Sequence, residues 1–498
     1  MQSKFELKKR SIHSYSSLER YEQIQRAPYQ FMCKIKRLEL ICHEIIICCE
    51  LFILTSFFSC KKFIQIPPPS NQLVSSTVFS DDNIATAALT GIYSNMMQYS
   101  GSGVGQLPLN IGVSSDELVN YSTDQYQIQF YTNSVSPTSN RIAGLWGGNN
   151  NGFYGYIFDA NSAIEGLNSS TGVSAAVKQE LLGEAKFIRA FSYFYLVNFF
   201  GDVPLVTNTD YSSNSKMTRT PQAQVYQQII ADLEDAANLL PTDYSFSNGE
   251  RVRPNKWAAN ALLARTFLYT QNWDSAVAQA TSIINNSLLY SLDTLNGIFL
   301  KNSTEAIWQL QPVVPGYNTW DGYIFILTSS PSNVTLSNTI VNAFDSGDLR
   351  RTSWVDSLLS LGETYYYAYK YKVKTSTTLT EYYMVLRLAE QYLIRAEAEA
   401  QQNNIPAAQA DLNIIRNRAG LPKTSSGDQQ SLLSAIMKER QIEFFCEWGH
   451  RWLDLKRTSQ IDSVLGIEKP GFIPSASLFP VLENDLLSDP NLTQNPGY

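Results

Sequence analysis

Apolar and small residues recur at steps of three and four along three stretches of the sequence, as expected for helices with one buried face. The first stretch, 181–200, ends at Gly201. The second, 220–240, is predicted to start with Thr220 as its N-cap and Pro221 as its first helical residue, and it ends at Pro241. The third, 257–283, is broken once, which predicts two helices. The three stripes consist of Ala185, Ile188, Ser192, Tyr195 and Phe199; of Val225, Ile229, Leu233, Ala236 and Leu240; and of Trp257, Ala261, Ala264, Leu268, Ala276, Ala280 and Ile283.

The third helical pair has a second copy later in the chain. The matched residues, equally spaced in each copy, are Ala264, Ala276, Ala280 and Ile283 in the first and Ala396, Ala408, Leu412 and Ile415 in the second. The polar pair Gln271–Asn272 is matched by Asn403–Asn404. Small residues at such positions let two antiparallel helices approach closely, as in tetratricopeptide repeats of about 34 residues. The alternative is two unrelated hairpins with alanine-rich faces. We predict a mainly α-helical fold of tetratricopeptide-like hairpins.

Two segments depart from the helical pattern. Segment 291–384 separates the two copies and is rich in Ser, Thr, Tyr, Asn and Gly, with short β-prone runs at 306–310 and 365–371. Segment 100–155 is similar in character. Because long polar loops on a helical frame usually carry function, we predict an irregular insertion with short strands at 291–384 and a ligand loop at 100–155. The predicted organisation is an N-terminal helical region at 79–290 and a C-terminal region at 291–498 that returns to helices at 385–460.

The N-terminal segment 1–59 has the layout of a secretory signal, with basic residues followed by an apolar stretch at 45–58. A small residue then precedes Cys60, which looks like a bacterial lipobox, and Cys60 is therefore the predicted lipid anchor. The alternative is a transmembrane helix, which would need ~20 apolar residues in a row. Glu44 and Glu50 interrupt the run, so we favour the signal.

The start of the chain and the residues after the anchor carry two further expectations. Met32 offers a second start position, which would make residues 1–31 a mis-assigned extension. Residues 60–78 are the predicted anchor and linker, in which three prolines at 67–69 form a stiff, extended leash. If Cys60 is acylated, the mature chain has no pair of cysteines for an internal disulfide.

Composition narrows the range of functions. A net charge of −7 and a pI near 5.2 argue against a nucleic-acid partner, since such proteins normally present a basic face. A hydrophobic share of 44% excludes wholesale disorder. Segment 1–59 carries +3, so its removal leaves −10, with His450 as the one histidine and Cys446 as the one cysteine besides Cys60.

Several motifs together resemble one family. The run LLGEAKFIRAFSYFYLVNFFGDVPLV (181–206) closely resembles the diagnostic segment of SusD/RagB-family proteins, the surface nutrient-binding lipoproteins of Bacteroidetes. Further segments resemble the family in the expected order: SCKKFIQIPPPSNQL, FSDDNIATAALTGIYSNM, LWGGNNNGFYGYIFDANSAIEGL, TPQAQVYQQIIADLEDAANLLP, LRLAEQYLIRAEAEA, ADLNIIRNRAGLP, IMKERQIEFFCEWGHRWLDLKRT and DPNLTQNPGY. The resemblance spans nearly all of 60–498. The sequence departs from the family pattern only in its overlong N-terminus and in the acidic residues of the signal. These departures bear on where translation starts and not on the family.

The resemblance implies a fold, a location and a partner. The expected fold is a right-handed superhelix of tetratricopeptide-like units with an irregular, insert-rich region packed against it. The expected location is the cell surface, anchored in the outer membrane through an acyl chain on Cys60. The protein would form a lid over a SusC-like TonB-dependent transporter and deliver glycans to it. The alternative ligand is a peptide, as in the RagB-like branch.

The sequence offers little for catalysis. A single histidine cannot supply the histidine pair of a zinc site, and it leaves only one candidate base for a catalytic triad. We expect this residue, His450, to be packed or hydrogen-bonded. A glycosidase needs two facing carboxylates ~5–9.5 Å apart. Glu439 with Glu443, and Glu390 with Glu397, have helical spacing, but they lie among arginines and are expected to form ion pairs. We predict binding without catalysis and without a cofactor, with a surface glycosidase as the competing hypothesis.

Aromatic residues are the predicted binding groups. Tyr, Phe and Trp make up 12% of the chain. A sugar ring stacks its C–H face on an exposed Tyr or Trp, while Asn, Gln, Asp and Arg bind its hydroxyl groups. The predicted ligand-binding residues are Tyr121 and Tyr126 in the first polar segment and Tyr317, Trp320 and Tyr323 in the second. Neighbouring Gly and Asn residues suggest loops that present these rings outward. The alternative for each ring is packing between loops and frame.

Two smaller assignments complete the sequence-based expectations. The tryptophans assigned to the core, because they lie on patterned or motif segments, are Trp146, Trp257 and Trp308. No metal site is predicted. Three surface carboxylates could either coordinate a calcium ion or simply be solvated, and the sequence does not decide between these alternatives. They are Asp345, Asp348 and Asp356.

Overall fold

Helices dominate the part of the chain that the computed structural model describes, residues 78–98, 104–147, 152–469 and 471–498. Segment 1–59, Cys60 and the prolines at 67–69 lie outside the described residues. The α-helices are α1 (Asp82–Met96), α2 (Leu107–Ser114), α3 (Gln125–Tyr131), α4 (Asn140–Trp146), α5 (Phe153–Ser169), α6 (Ala175–Phe200), α7 (Tyr211–Asn214), α8 (Gln222–Leu239), α9 (Lys256–Tyr269), α10 (Trp273–Ile284), α11 (Trp320–Phe325), α12 (Asn338–Val341), α13 (Leu349–Ser353), α14 (Leu388–Gln401), α15 (Ile405–Arg418), α16 (Gln429–Glu443), α17 (His450–Arg457), α18 (Ile461–Glu468) and α19 (Glu483–Ser488). The strands are β1 (Leu118–Asn120), β2 (Ala306–Leu310), β3 (Val334–Leu336), β4 (Val355–Ser360), β5 (Glu363–Ala368) and β6 (Tyr383–Arg387).

The larger helices form a row in which each helix packs against the next. Helix α6 lies between α5 and α8, α8 contacts α9, and α9 pairs with α10. Helix α10 then packs on α14, which contacts both α15 and α16. The predicted mainly helical fold is confirmed. In the described part of the chain, no helix combines the length and the apolar character needed to cross a membrane.

Helix α6 is buried on more than one face. The sequence predicts a single stripe over 181–200, yet every residue from Phe187 to Phe200 is buried. The reason is its position, because α1, α5 and α8 all pack against it. The helix ends as predicted at Gly201, whose φ of +77° is a left-handed conformation that favours glycine.

The start of α8 differs from the prediction by one residue. Pro221 is the N-cap and Gln222 is the first helical residue. The backbone N–H of Gln222 donates to the Asp202 carboxylate at 2.9 Å, so the cap comes from the preceding loop. Thr220 instead pairs its backbone with Val203 in an isolated antiparallel bridge.

The predicted repeat is present as two helical hairpins, α9–α10 and α14–α15. The eight matched apolar residues are all fully buried. The turns also match, since Gln271 and Asn403 both adopt left-handed backbone conformations, with φ of +58° and +60°. Because α10 packs directly on α14, the chain between them leaves the row and returns to it.

The residues between these hairpins form the predicted irregular insertion with short strands. Strand β2 pairs antiparallel with β6, which leads directly into α14, and β4 and β5 form a hairpin. The first polar segment is less irregular than its composition suggests, since it contains α2, α3, α4 and β1. Strand β1 pairs antiparallel with β3 of the insertion, and β3 also contacts β5. The two polar segments therefore meet.

A buried network of ion pairs fixes the insertion to the helical frame. Arg387, the last residue of β6, donates to Glu443 at 2.6 Å and to Glu305 at 3.0 Å. Its remaining donors bind the Glu447 carboxylate at 2.9 and 3.0 Å. Arg418 of α15 binds Glu305 at 2.6 Å and also binds Glu443. Since each guanidinium group bridges elements distant in sequence, the network joins β2, β6, α15 and α16.

Arg350 extends this network to α13. It is fully buried and contacts Asp348 at 2.8 Å, Glu439 at 2.6 Å and Glu443 at 2.9 Å. Burial by itself would raise the pKa of Glu443, but the three guanidinium groups around it hold that pKa well below its ordinary value. The predicted ion pairing of Glu439 and Glu443 is therefore confirmed, and both groups serve the architecture.

Candidate functional site

The meeting of the two polar segments presents an exposed tyrosine. Tyr121 follows β1, and its backbone N–H donates to the Asn333 carbonyl at 2.7 Å, which extends the β1–β3 ladder by one residue. The Tyr121 side chain is 41% exposed. Its ring meets the half-buried Tyr365 ring of β5 edge to face, with centroids 5.9 Å apart and planes at 87°. We call Asn120, Tyr121, Asn333 and Tyr365 the tyrosine surface.

Hydrogen bonds behind the tyrosine surface hold its backbone in place. The Gln127 amide nitrogen donates to Asn120 Oδ1 and to Asn333 Oδ1, both at 2.8 Å, and so joins the two polar segments. Its carbonyl oxygen accepts from Arg141 at 3.1 Å. Arg141 also lies 3.5 Å from the Asp124 carboxylate, so the charges of these two groups compensate each other. These hydrogen bonds hold the two polar segments together behind the Tyr121 ring.

The second predicted group differs from its prediction at one residue. Trp320 was expected to face outward, but it is only 3% exposed, and its indole N–H donates to the Met97 carbonyl at 2.8 Å. A Cβ atom at Gly105 would lie 2.7 Å from the Trp320 ring, so the chain packs tightly around it. The prediction of an outward-facing ring is wrong, because the loop that carries Trp320 forms helix α11 and directs the ring into the core.

Tyr317 and Tyr323 lie half-buried over Trp320. The two tyrosine rings meet edge to face with centroids 4.8 Å apart, and the Tyr317 ring lies 5.2 Å from the Trp320 ring. Lys374 secures this region by donating to the carbonyls of Tyr323 and Ile326 at 2.8 and 2.6 Å. The two tyrosines thus pack against the buried tryptophan, and their role as ligand-binding residues stays a prediction.

The remaining aromatic predictions have mixed outcomes. Tyr126 lies half-buried on α3, and its role as a ligand-binding residue stays a prediction. Trp146 and Trp308 are 3% and 0% exposed, so their assignment to the core is confirmed. Trp257 is half-buried, with its indole N–H donating to the Thr242 carbonyl at 2.8 Å.

Sequence reasoning missed two members of the tyrosine surface. Tyr365 begins the β-prone run 365–371, which opens with three consecutive tyrosines. Because successive side chains of a strand point to opposite faces, these three cannot all face the core. Asn333 carries no comparable signal, because its position depends on the pairing of β1 with β3, two strands more than 200 residues apart in sequence.

The candidate catalytic carboxylates are engaged in ion pairs. Glu390 accepts two hydrogen bonds from Arg265, at 2.7 and 2.6 Å, and both side chains are 1% exposed. Glu397 forms the same kind of pair with Arg457, with one bond of 2.7 Å. These contacts confirm the prediction that both glutamates are paired with arginines, and they leave neither of them facing a cleft as a free acid.

His450 is packed, as predicted. It is 5% exposed, and its ring stacks on Phe444 with centroids 4.7 Å apart. Burial lowers its pKa well below the ordinary value, and the nearby arginine and lysine charges lower it further. The imidazole is therefore neutral at physiological pH.

The three aspartates considered for calcium have other partners. Asp348 belongs to the ion-pair network, Asp345 pairs with Lys438, and Asp356 accepts from the Tyr367 hydroxyl at 3.0 Å. Among the residues that the structure describes, no group of three or more His, Cys, Asp or Glu side chains is placed to hold a metal ion.

A buried acid lies directly before β1. Glu117 is 2% exposed, and its carboxyl oxygen accepts from the Cys446 backbone N–H at 3.1 Å. Burial, and then the adjacent Asp116 carboxylate, raise its pKa to about 8. Its carboxyl group is therefore largely protonated below that pH and mostly ionised above it.

We expect Glu117 to make stability depend on pH. Its pKa is about 8 in the folded state and about 4.5 in the unfolded chain. Its contribution to stability is therefore fully present below about pH 4.5 and is lost as the pH rises through 8. In Glu117→Gln, which mimics the protonated acid, this loss should be absent. The measurement is the free energy of unfolding in urea at several pH values from 5 to 9.

The comparison of Glu117→Gln with wild type isolates this group. Half-buried Lys456 and Lys469, whose pKa values desolvation lowers to about 7, titrate in the same window with the opposite sign. Because both proteins contain these lysines, their effect cancels in the difference between the two curves. Parallel curves would contradict the assignment.

The sequence matches known families over most of its length. Residues 62–268 match a family described as "Starch-binding associating with outer membrane", and residues 356–498 match the family described as "SusD family". The chain belongs to the SusD/RagB family. The match of two separate parts of the chain to SusD-type families agrees with the order of motifs seen in the sequence.

Curated relatives of this SusD/RagB-family protein are distant in sequence but similar in extent. The SusD-like protein P25 of Formosa agariphila is 25% identical over 86% of this chain and 93% of its own length. A SusD-like protein of Bacteroides ovatus is 26% identical over 80% of each chain.

Solved structures share the fold. A SusD superfamily protein of Bacteroides vulgatus superimposes with a TM-score of 0.75 at 22% identity, over 84% of this chain and all of that chain. A protein described as a laminarin-binding SusD-like protein superimposes with a TM-score of 0.70 at 25% identity, with the same coverage. The tetratricopeptide-like helical architecture predicted from the sequence is thus that of the family.

Proposed function

We propose that this SusD/RagB-family protein binds a neutral oligosaccharide at the tyrosine surface and does not cleave it. The observation that carries the proposal is the exposed Tyr121 ring, held edge to face against Tyr365 and flanked by Asn120 and Asn333. An aromatic face suits the C–H face of a pyranose, and the Asn333 amide N–H, which donates to no residue that the structure describes, suits its hydroxyl groups. The pairing of Asp124 with Arg141 favours a ligand without net charge.

The comparisons support a glycan as the ligand class. The laminarin-binding SusD-like protein is 25% identical to this chain, and one matching family is described as starch-binding. Binding without cleavage is supported by the carboxylates considered above, which are paired with arginines in the core.

We further propose that Cys60 is acylated and anchors the protein in the outer membrane, exposed at the cell surface. There it would deliver its glycan to a SusC-like TonB-dependent transporter. The family description, "associating with outer membrane", supports the location, and the signal-like layout before Cys60 supports the anchor. Co-purification of the transporter with the anchored protein, after mild detergent extraction of outer membranes, is expected.

The proposal predicts saturable glycan binding without turnover. Calorimetric titration with laminarin, starch and other neutral glycan fragments, and with peptides, should give a binding isotherm for at least one neutral glycan. The same mixtures should contain no released product. A product-releasing activity that co-purifies with the chain would favour the glycosidase. Binding of peptides alone would favour the peptide-binding alternative.

A further inference from the structure

A concave site on the helical frame shares no residue with the tyrosine surface. A cavity of about 330 Å³ opens between the end of α9, the start of α10, α14, α16 and the turn after α17. This volume is near the lower end of the roughly 300–1,000 Å³ range of small-molecule pockets. We call this site the amide pocket, because the side-chain amides of Gln271, Gln401, Gln430 and Gln460 line it.

The lining of the amide pocket is mostly polar, includes three large apolar side chains and carries no unbalanced charge. Trp273, Leu433 and Met437 contribute apolar surface. The charged groups in the lining, Glu397 and Arg457, bind each other with one hydrogen bond of 2.7 Å. A charged ligand would have to displace this pair, whereas a neutral ligand would leave it intact.

The rim of the amide pocket offers open hydrogen-bonding groups. The four glutamine side chains make no hydrogen bond to any residue that the structure describes. Each amide supplies two N–H donors and one carbonyl acceptor, so the rim can both donate and accept. Sugar hydroxyl groups, which also donate and accept, are matched to such a rim, while the C–H face of a pyranose is matched to an indole ring.

Two residues of the amide pocket, Gln271 and Trp273, lie in the first hairpin and can be compared with their equivalents in the second. Gln271 and Asn403 occupy equivalent turn positions with nearly equal φ angles of +58° and +60°. Asparagine tolerates this left-handed conformation, whereas glutamine is strained in it. Two positions later, the first hairpin has Trp273 where the second has Ile405. The first hairpin thus combines a strained amide and an aromatic ring at the mouth of a cavity, which is typical of a functional site.

We propose that the amide pocket binds a single neutral sugar residue, which stacks on Trp273 and is hydrogen-bonded by the glutamine amides. The choice of ligand rests on the proposed function, since a glycan-capturing protein encounters the same sugars in free or terminal form. The pocket is too small for a polymer, so it would take a monosaccharide or the end of a chain, and the tyrosine surface would take the extended part.

The test separates the two sites in the full-length chain. A first variant, Tyr121→Ala/Tyr365→Ala, removes the tyrosine surface, and it is titrated by calorimetry with glucose, laminaribiose and maltose. We expect a weak, saturable isotherm for at least one of these sugars. Adding Trp273→Ala should weaken it at least tenfold, while adding Ile405→Ala, at the equivalent position of the second hairpin, should leave it unchanged.

Circular dichroism and thermal unfolding of each variant confirm that the folded state is retained. As a second readout, the sugars should change indole fluorescence in wild type, and Trp273→Phe should abolish the change. The inference is overturned if Trp273→Ala leaves the isotherm unchanged, if no sugar binds the double tyrosine variant, or if only peptides bind. If wild type binds no glycan in a way that depends on Tyr121 and Tyr365, the proposed function is overturned instead.

Discussion

Arg387→Met is expected to lower the free energy of unfolding by about 3–5 kcal/mol, the largest stability effect of any single substitution considered for this protein. Arg387 is 2% exposed and binds Glu305, Glu443 and Glu447. Its removal leaves these carboxylates buried with fewer positive partners, and an uncompensated buried charge costs far more than the lost contacts. Urea unfolding followed by circular dichroism measures the change.

Two further variants show whether buried charge is the cause. Arg387→Lys keeps the charge but loses the fork of donors that binds two carboxylates at once, so an intermediate loss is expected. Lys438→Met breaks the exposed pair with Asp345 and should cost less than about 1 kcal/mol. Equal, small losses for Arg387→Met and Lys438→Met would show that the network does not hold the insertion to the frame.

Tyr121→Ala/Tyr365→Ala is expected to weaken glycan binding by about 30-fold or more, which corresponds to about 2 kcal/mol or more. Tyr121 offers an exposed face, and Tyr365 fixes its orientation through the edge-to-face contact at 5.9 Å. Rigid rings lose little conformational entropy when they bind, so their removal takes away binding energy that flexible residues cannot replace. Calorimetric titration with the glycan that binds wild type best measures the loss.

Tyr211→Ala is the matched control for this experiment. Tyr211 is 82% exposed, so it is also a tyrosine in contact with solvent, but it lies on α7 and not on the tyrosine surface. Its substitution should leave the affinity unchanged. An equal loss in Tyr211→Ala, or an unchanged affinity in the double variant, would place the glycan elsewhere.

The helical frame could be predicted from the sequence because its signals are local. The stripes of α6, α8 and α9 follow from the helical period, and the breaks at Gly201 and Gln271 follow from the chemistry of turn residues. The repeat could also be found, because equally spaced small residues indicate that the helices pack in the same way in both hairpins. The cap of α8 could not, because it comes from Asp202 in the preceding loop.

The candidate site depends on contacts between distant segments, which the sequence does not encode locally. Neighbouring Gly and Asn residues predict that Trp320 faces out, but the burial of its ring depends on Met97 and Gly105, more than 200 residues away. Tyr121 was identified because an exposed loop tyrosine is a local feature, whereas its partner Tyr365 depends on the packing of β5 beside β3.

The proposed glycan site lies where the two polar segments meet. Hydrogen–deuterium exchange, with and without the glycan that binds wild type best, tests it most directly. Glycan binding at the tyrosine surface should slow exchange at 118–131, 333–336 and 363–368 and leave exchange unchanged at 211–215, around the control tyrosine. Unchanged exchange in the first three segments, with protection confined to other parts of the chain, would contradict the claim.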